Sequence, residues 1–208
     1  MNEFLKLNGN KLRFAFFITS LLFLAIVLTV LAIGFVNGKF PDEFLLATIL
    51  LGAGIGFPVF ILTITCFEWL SKAKVRKNAF AKNPFNKLDK IGFSSFLINE
   101  KSKWVFTEES KVAVINGFKI EVEITRESPD IIQFKAKVHR KRIDYDGLKQ
   151  LEKCFEGYSI ILGYGEIIKV YNIDGVTIMS HLQLESDLIK FTELLKNKQF
   201  EPQKNIEY

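Results

Sequence analysis

The sequence predicts an α+β protein in two parts: an N-terminal two-helix transmembrane hairpin, then a small cytosolic domain with a mainly antiparallel sheet and two covering helices. Three observations predict it. Two uncharged apolar runs, Phe14 to Val36 and Phe44 to Phe67, lie side by side. Alternating apolar and polar residues recur around an Asn-Gly pair at 116 and 117, and two later stretches space their apolar residues as helices do. The divisions read from the chain are an N-terminal segment 1–13, helices 14–36 and 44–69 joined by a connector 37–43, a basic linker 70–90, a domain 91–200 and a polar tail 201–208.

Each apolar run is long enough to cross a bilayer, since about 23 residues rise about 35 Å as a helix against a hydrocarbon core of about 30 Å. A cleavable signal peptide does not fit, because its apolar region is much shorter and no second span follows it so closely. The connector holds Gly38 and Pro41 and can only reverse the chain. Lys6, Lys11 and Arg13 precede the first run, and Lys72, Lys74, Arg76, Lys77, Lys82, Lys87 and Lys90 follow the second, whereas the connector has only Lys39. The positive-inside rule therefore places both termini in the cytoplasm. Phe14, Phe16, Phe17 and above all Trp69 are read as rings at the headgroup level.

No Asp, Glu, Lys, Arg or His lies inside either run, which argues against a pump or secondary transporter. Thr19, Ser20, Thr29, Thr48, Thr63 and Thr65 can bond back to their own helices. Gly52 and Gly56 stand four apart, a spacing that lets two helices approach closely. The tethered first span, with Ala25, Ala32 and Gly34, is the expected partner for that face, and a second copy of the chain is the alternative. Pro58 is expected to kink the second span.

The formal charge of +5 is unevenly placed. Residues 1–90 carry 11 basic and 5 acidic side chains, a balance of +6, while residues 91–208 carry 17 and 18, a balance of −1. A nucleic-acid partner is excluded on this ground, because the soluble part lacks a basic surplus. Lys72, Lys74, Arg76 and Lys77 can instead meet anionic lipid headgroups, as a topology determinant or a lipid contact. The two cysteines, Cys66 and Cys154, have no paired spacing and are expected to be reduced thiols.

Beyond Lys90 the elements follow in order. Asn116-Gly117 predicts a hairpin over 112–125, with Phe118, Ile120, Val122 and Ile124 on one face. Ile132, Phe134, Ala136 and Val138 predict a third strand, and Trp104 to Glu109 a short earlier one. Leu148, Leu151 and Phe155, behind Asp144 or Asp146, predict a helix. Strands are predicted at Ser159 to Leu162, Glu166 to Ile173 and Val176 to Met179. Ser186 is expected to cap a last helix bearing Leu188, Phe191, Leu194 and Leu195 and ending near Asn197.

Gly163-Tyr164-Gly165 lacks a following helix, so it is read as a turn rather than a phosphate loop. His139, Arg140, Lys141 and Arg142 form the sharpest charge cluster of the soluble part and the best candidate for an anion, headgroup or acidic partner. Two histidines and two separated cysteines fall short of a zinc set, so no metal or cofactor is expected. The composition, rich in Lys, Asn, Ile and Phe, fits a bacterial inner membrane. These features predict a multi-pass membrane protein whose non-catalytic cytosolic domain binds a protein or anionic lipid. The alternatives are a membrane-tethered enzyme, using Cys154, His139 or His181, and a small channel or transporter subunit.

Overall fold

The computed structural model describes residues 2–124, 127–139, 160–162, 165–173 and 179–203. Its architecture is α+β, with four helices and a seven-stranded antiparallel open sheet among the described residues. The chain divides into two compact units, Met1–Ser71 with Lys101–Thr107, and Lys72–Glu100 with Glu108–Tyr208.

The first unit is a helical hairpin. Helix α1 (Asn2–Val36) begins twelve residues before the apolar run, so the predicted N-terminal segment is helical. Three bonds end α1: Asn37 N donates to the Ile33 carbonyl, Gly38 N to Phe35 and Lys39 N to Gly34. Gly38 takes φ +68°, and a Cβ on Gly34 would lie 2.7 Å from the Lys39 carbonyl oxygen. Both positions therefore require glycine. Asp42 then caps α2 (Glu43–Leu51), its side chain accepting from Leu45 N at 2.8 Å.

Gly52–Gly56 form one π-helical turn before α3 (Phe57–Ala81). Pro58 supplies no N–H and its ring crowds the carbonyl four residues back, at Gly54. The wider turn immediately precedes Pro58, and across it Phe57 N donates to the Gly52 carbonyl five residues back. The irregularity expected at Pro58 thus lies in the glycine run before it. Gly54, not Gly52 or Gly56, packs on α1: a Cβ there would lie 3.5 Å from Leu24, whereas one at Gly52 or Gly56 meets nothing within 4 Å. The expected use of the Gly52 and Gly56 face by the first span is corrected accordingly. Phe23 and Phe57 stack beside this contact, with ring centroids 5.4 Å apart.

The second unit has its sheet in the order β1 (Ser94–Ile98), β2 (Glu108–Ile115), β3 (Phe118–Glu123), β4 (Ile131–His139), β6 (Glu166–Asn172), β5 (Ile160–Leu162). A short β7 (Glu201–Pro202) pairs with the end of β4, so the predicted polar tail begins as a strand. The Asn116-Gly117 turn forms as predicted, with φ of +52° and +87°, the geometry of a two-residue turn that matches strand twist. Register places Ile120 opposite Ala136 and Val122 opposite Phe134, all fully buried.

Phe134 sits at the centre of the core, its ring 5.4 Å from Tyr171, 5.8 Å from Phe93 and 6.3 Å from Phe85. Helix α4 (His181–Asn197) covers this core with Leu184, Leu188, Phe191 and Leu195. Its cap is Ser180, six residues before the expected Ser186; Ser180 Oγ accepts from Gln183 N while Ser180 N donates to Gln183 Oε1. A 3₁₀ segment at Phe85–Ile91, kinked at Lys87, adds Phe85, Leu88 and Ile91.

The domain therefore starts earlier than Ile91. Ala79, Phe85 and Leu88 belong to its core, and the supposed linker is helix α3 as far as Ala81. Residues 104–107 are not a strand, since β2 begins at Glu108. The predicted helix at Leu148 to Phe155, the strand at Val176 to Met179 apart from Met179, and Gly163-Tyr164 lie outside the described residues. Replacing Phe134 with Ala is expected to destabilise the domain by about 3–5 kcal/mol, measured as the shift in urea unfolding of the detergent-solubilised chain.

Candidate membrane interface

Two helices are long and apolar enough to cross a membrane, over Glu3–Val36 and Glu43–Ala81. Their outward side chains include Phe17, Leu21, Phe35, Phe44, Phe60 and Phe67, all exposed. The threonine hydroxyls are satisfied within the helix: Thr19 donates to Ala15, Thr29 to Ala25, Thr48 to Phe44, Thr63 to Val59 and Thr65 to Ile61, at 2.7–2.9 Å. The buried Ser20 hydroxyl, expected to do the same, makes no such bond, which corrects that expectation.

At the N-terminal end of α1 the helix binds the loop Lys101–Thr107, which belongs to the same unit. Asn8, 0% exposed, binds both backbone groups of one residue with the two ends of its amide: Thr107 N donates to Asn8 Oδ1 at 2.6 Å, and Asn8 Nδ2 donates to the Thr107 carbonyl at 3.1 Å. That carbonyl also accepts from Trp69 Nε1 at 2.9 Å. Trp69 is only 9% exposed and packs on Phe4, whose ring centroid is 4.9 Å away. Its indole is therefore an internal strut, and the reading of Trp69 as a headgroup-level anchor is corrected. Lys11 Nζ donates to the Val105 carbonyl at 2.9 Å, and Ser102 Oγ accepts from the backbone of Trp104 and Val105. The loop presents Trp104, 74% exposed, with its ring 5.0 Å from Phe14.

A groove of about 640 Å³ lies between α1 and α3, lined by apolar side chains such as Phe4, Leu12, Phe16, Val59, Leu62 and Phe67. Arg13 and Cys66 also line it. Arg13 is its one charged group, and the lining includes no base that could activate the thiol.

The basic residues of α3 separate into distinct environments. Arg76 is 9% exposed, with Nη1 donating to the Glu109 carbonyl at 2.8 Å and Nη2 paired with Glu108 at 3.0 Å. It holds β2 to the helix and does not face outward, which removes it from the expected headgroup set. Lys74 and Lys77 are exposed, and Lys72 is half-buried. Arg140, Lys141 and Arg142 lie outside the described residues, as does Cys154. His139 ends β4 and His181 opens α4. Among the described residues no group of three or more His, Cys, Asp or Glu is placed to hold a metal.

Two charged clusters on the sheet were not foreseen. Lys135 pairs with Glu123, and Lys137 with Glu166, across β3, β4 and β6. Burial raises the pKa of neighbouring Glu121, although the Lys137 charge opposes this. Tyr171 OH donates to Asp187 Oδ2 at 2.5 Å and Lys169 Nζ lies 3.5 Å from the same oxygen, tying β6 to α4. Burial, then the bond to Asp187 and its charge, hold the Tyr171 hydroxyl far above the usual tyrosine range. Alternation alone marks Lys135 and Glu166 as solvent-side residues; their pairing needs the β4–β6 register, which sequence does not supply.

No family model, curated protein or solved structure matches the chain.

Two outcomes follow from this geometry. Asn8→Ala strands the buried Thr107 N–H and should cost about 2 kcal/mol, read as faster amide exchange over residues 101–107. Tyr171 keeps its proton more tightly when folded, so its contribution is complete below the free tyrosine pKa of about 10 and declines as pH rises through that value. Tyr171→Phe should therefore show a shallower fall in melting temperature than the unmodified protein between pH 9 and 11.

Proposed function

We propose that the chain is an integral membrane protein in which the α1–α3 hairpin spans the bilayer, with both termini cytoplasmic, and presents a non-catalytic α+β domain for interaction with a protein or with anionic lipid. The observation that carries this reading is the hairpin surface. Large apolar side chains point outward along both helices, and the five threonine hydroxyls are closed onto their own backbone. Such a surface is unfavourable in water and suited to hydrocarbon. The flanking charge supports the orientation, because Lys74 and Lys77 are exposed on α3 while the connector offers only Lys39.

The interaction role draws on the domain's polar groups. Arg76, Tyr171, Lys169, Asp187, Lys135 and Lys137 are engaged in structural pairs, an arrangement suited to holding a surface in shape. Contact with anionic headgroups falls to Lys74 and Lys77, joined by Lys72 at its half-buried position. At about 1 kcal/mol each, two or three such contacts make a modest contribution beside two spans.

The test is alkaline carbonate extraction of membranes containing the full chain, combined with protease treatment of sealed inside-out and right-side-out vesicles. The chain should stay in the membrane pellet, and the domain should be digested only in inside-out vesicles. Release into the supernatant would overturn the span; digestion from the other side would overturn the orientation.

A further inference from the structure

We infer that the loop Lys101–Thr107 is an interfacial anchor that sets the exposed Trp104 side chain into the headgroup layer of the bilayer. This rests on the proposed membrane-spanning hairpin and adds a contact made by neither span. Three observations support it. The first is level. Trp104 packs edge-on against Phe14, and Phe14 opens the first apolar run, 22 residues before Val36 where α1 ends. That distance along a helix is about 33 Å, just beyond a hydrocarbon core of about 30 Å, so the indole sits where amphipathic rings are favoured.

The second is presentation. Trp104 is 74% exposed and Val105 49% exposed, adjacent apolar side chains on a loop that also exposes Lys101 and Lys103. An apolar tip with cationic neighbours complements a surface whose headgroups are anionic and whose interior is hydrocarbon. The third is rigidity. Asn8, Trp69, Lys11 and Ser102 all bond the backbone of residues 104–107, so the tip's main chain is fixed by hydrogen bonds that do not involve the Trp104 or Val105 side chain. Chain order would not reveal this, because Trp104 is distant in sequence from both spans.

The chain has two tryptophans, Trp69 and Trp104, which makes the test direct. The full-length protein and Trp104→Phe are reconstituted in phosphatidylcholine vesicles with 20% phosphatidylglycerol. The vesicles carry bromine either near the headgroup end of the acyl chain or near its terminal methyl. The Trp104 contribution is the difference between the two proteins. It should be quenched about twofold more by the shallow label than by the deep one, and be shielded from aqueous iodide. A Trp104 signal quenched by iodide and untouched by both lipid labels would overturn the anchor. If the same vesicles retain the protein through carbonate extraction, that result leaves the hairpin reading intact. Release by carbonate would remove both.

Discussion

Peptide and hydroxyl groups on a long apolar helix must be satisfied by the helix itself, and under the proposed membrane-spanning reading, where no water reaches them, that requirement accounts for most of the local detail in the hairpin. Each threonine described on the spans returns its hydroxyl to a carbonyl four residues earlier. The connector is built so that α1 ends on bonds from residues 37–39 and α2 begins on the Asp42 carboxylate. Where Pro58 would leave a carbonyl unpaired and crowded, the glycine run widens into a π turn. Asn8 and Lys11, polar side chains with more bonding capacity, lie near the start of α1, where a loop from elsewhere in the chain supplies backbone groups for them.

The domain obeys a different economy. Its sheet buries one face under α4 and the 3₁₀ helix, and the aromatic cluster around Phe134 fills the space between them. Ionic groups at its margins are paired across strands or across the strand–helix boundary, as with Lys137 and Glu166 or Tyr171, Lys169 and Asp187. Exposed pairs of this kind contribute little to stability, but partly buried ones restrict which alignment of strands is allowed.

Much of this was legible from residues alone. The two long apolar helices, the Asn116-Gly117 hairpin, strands β4 to β6 and the end of α4 follow from periods and turn chemistry that are local. The errors fall where tertiary contacts override local cues. Residues 70–90 look like a charged linker because Lys and Asn dominate, yet Ala79, Phe85 and Leu88 are spaced to enter a core assembled from distant strands. Ser186 and Ser180 are both plausible caps, and the choice depends on Gln183 reaching back. Trp69 beside the second span resembles an interface ring, but Phe4 and Thr107 enclose it. The converse holds for Trp104, whose short apolar stretch resembles a strand. Arg76 reads as one more surface charge until β2 is brought to its side.

The π turn bears on how stripes are traced along this chain. One additional residue in a helical turn delays the angular phase by about 100°, so positions before Gly52 and after Gly56 that appear aligned at a constant 3.6-residue spacing project in different directions. A single-residue deletion within 52–56 would therefore leave the downstream helix facing as it does now, whereas a deletion on either side of that segment would swing the whole remaining length of α3 around its own axis.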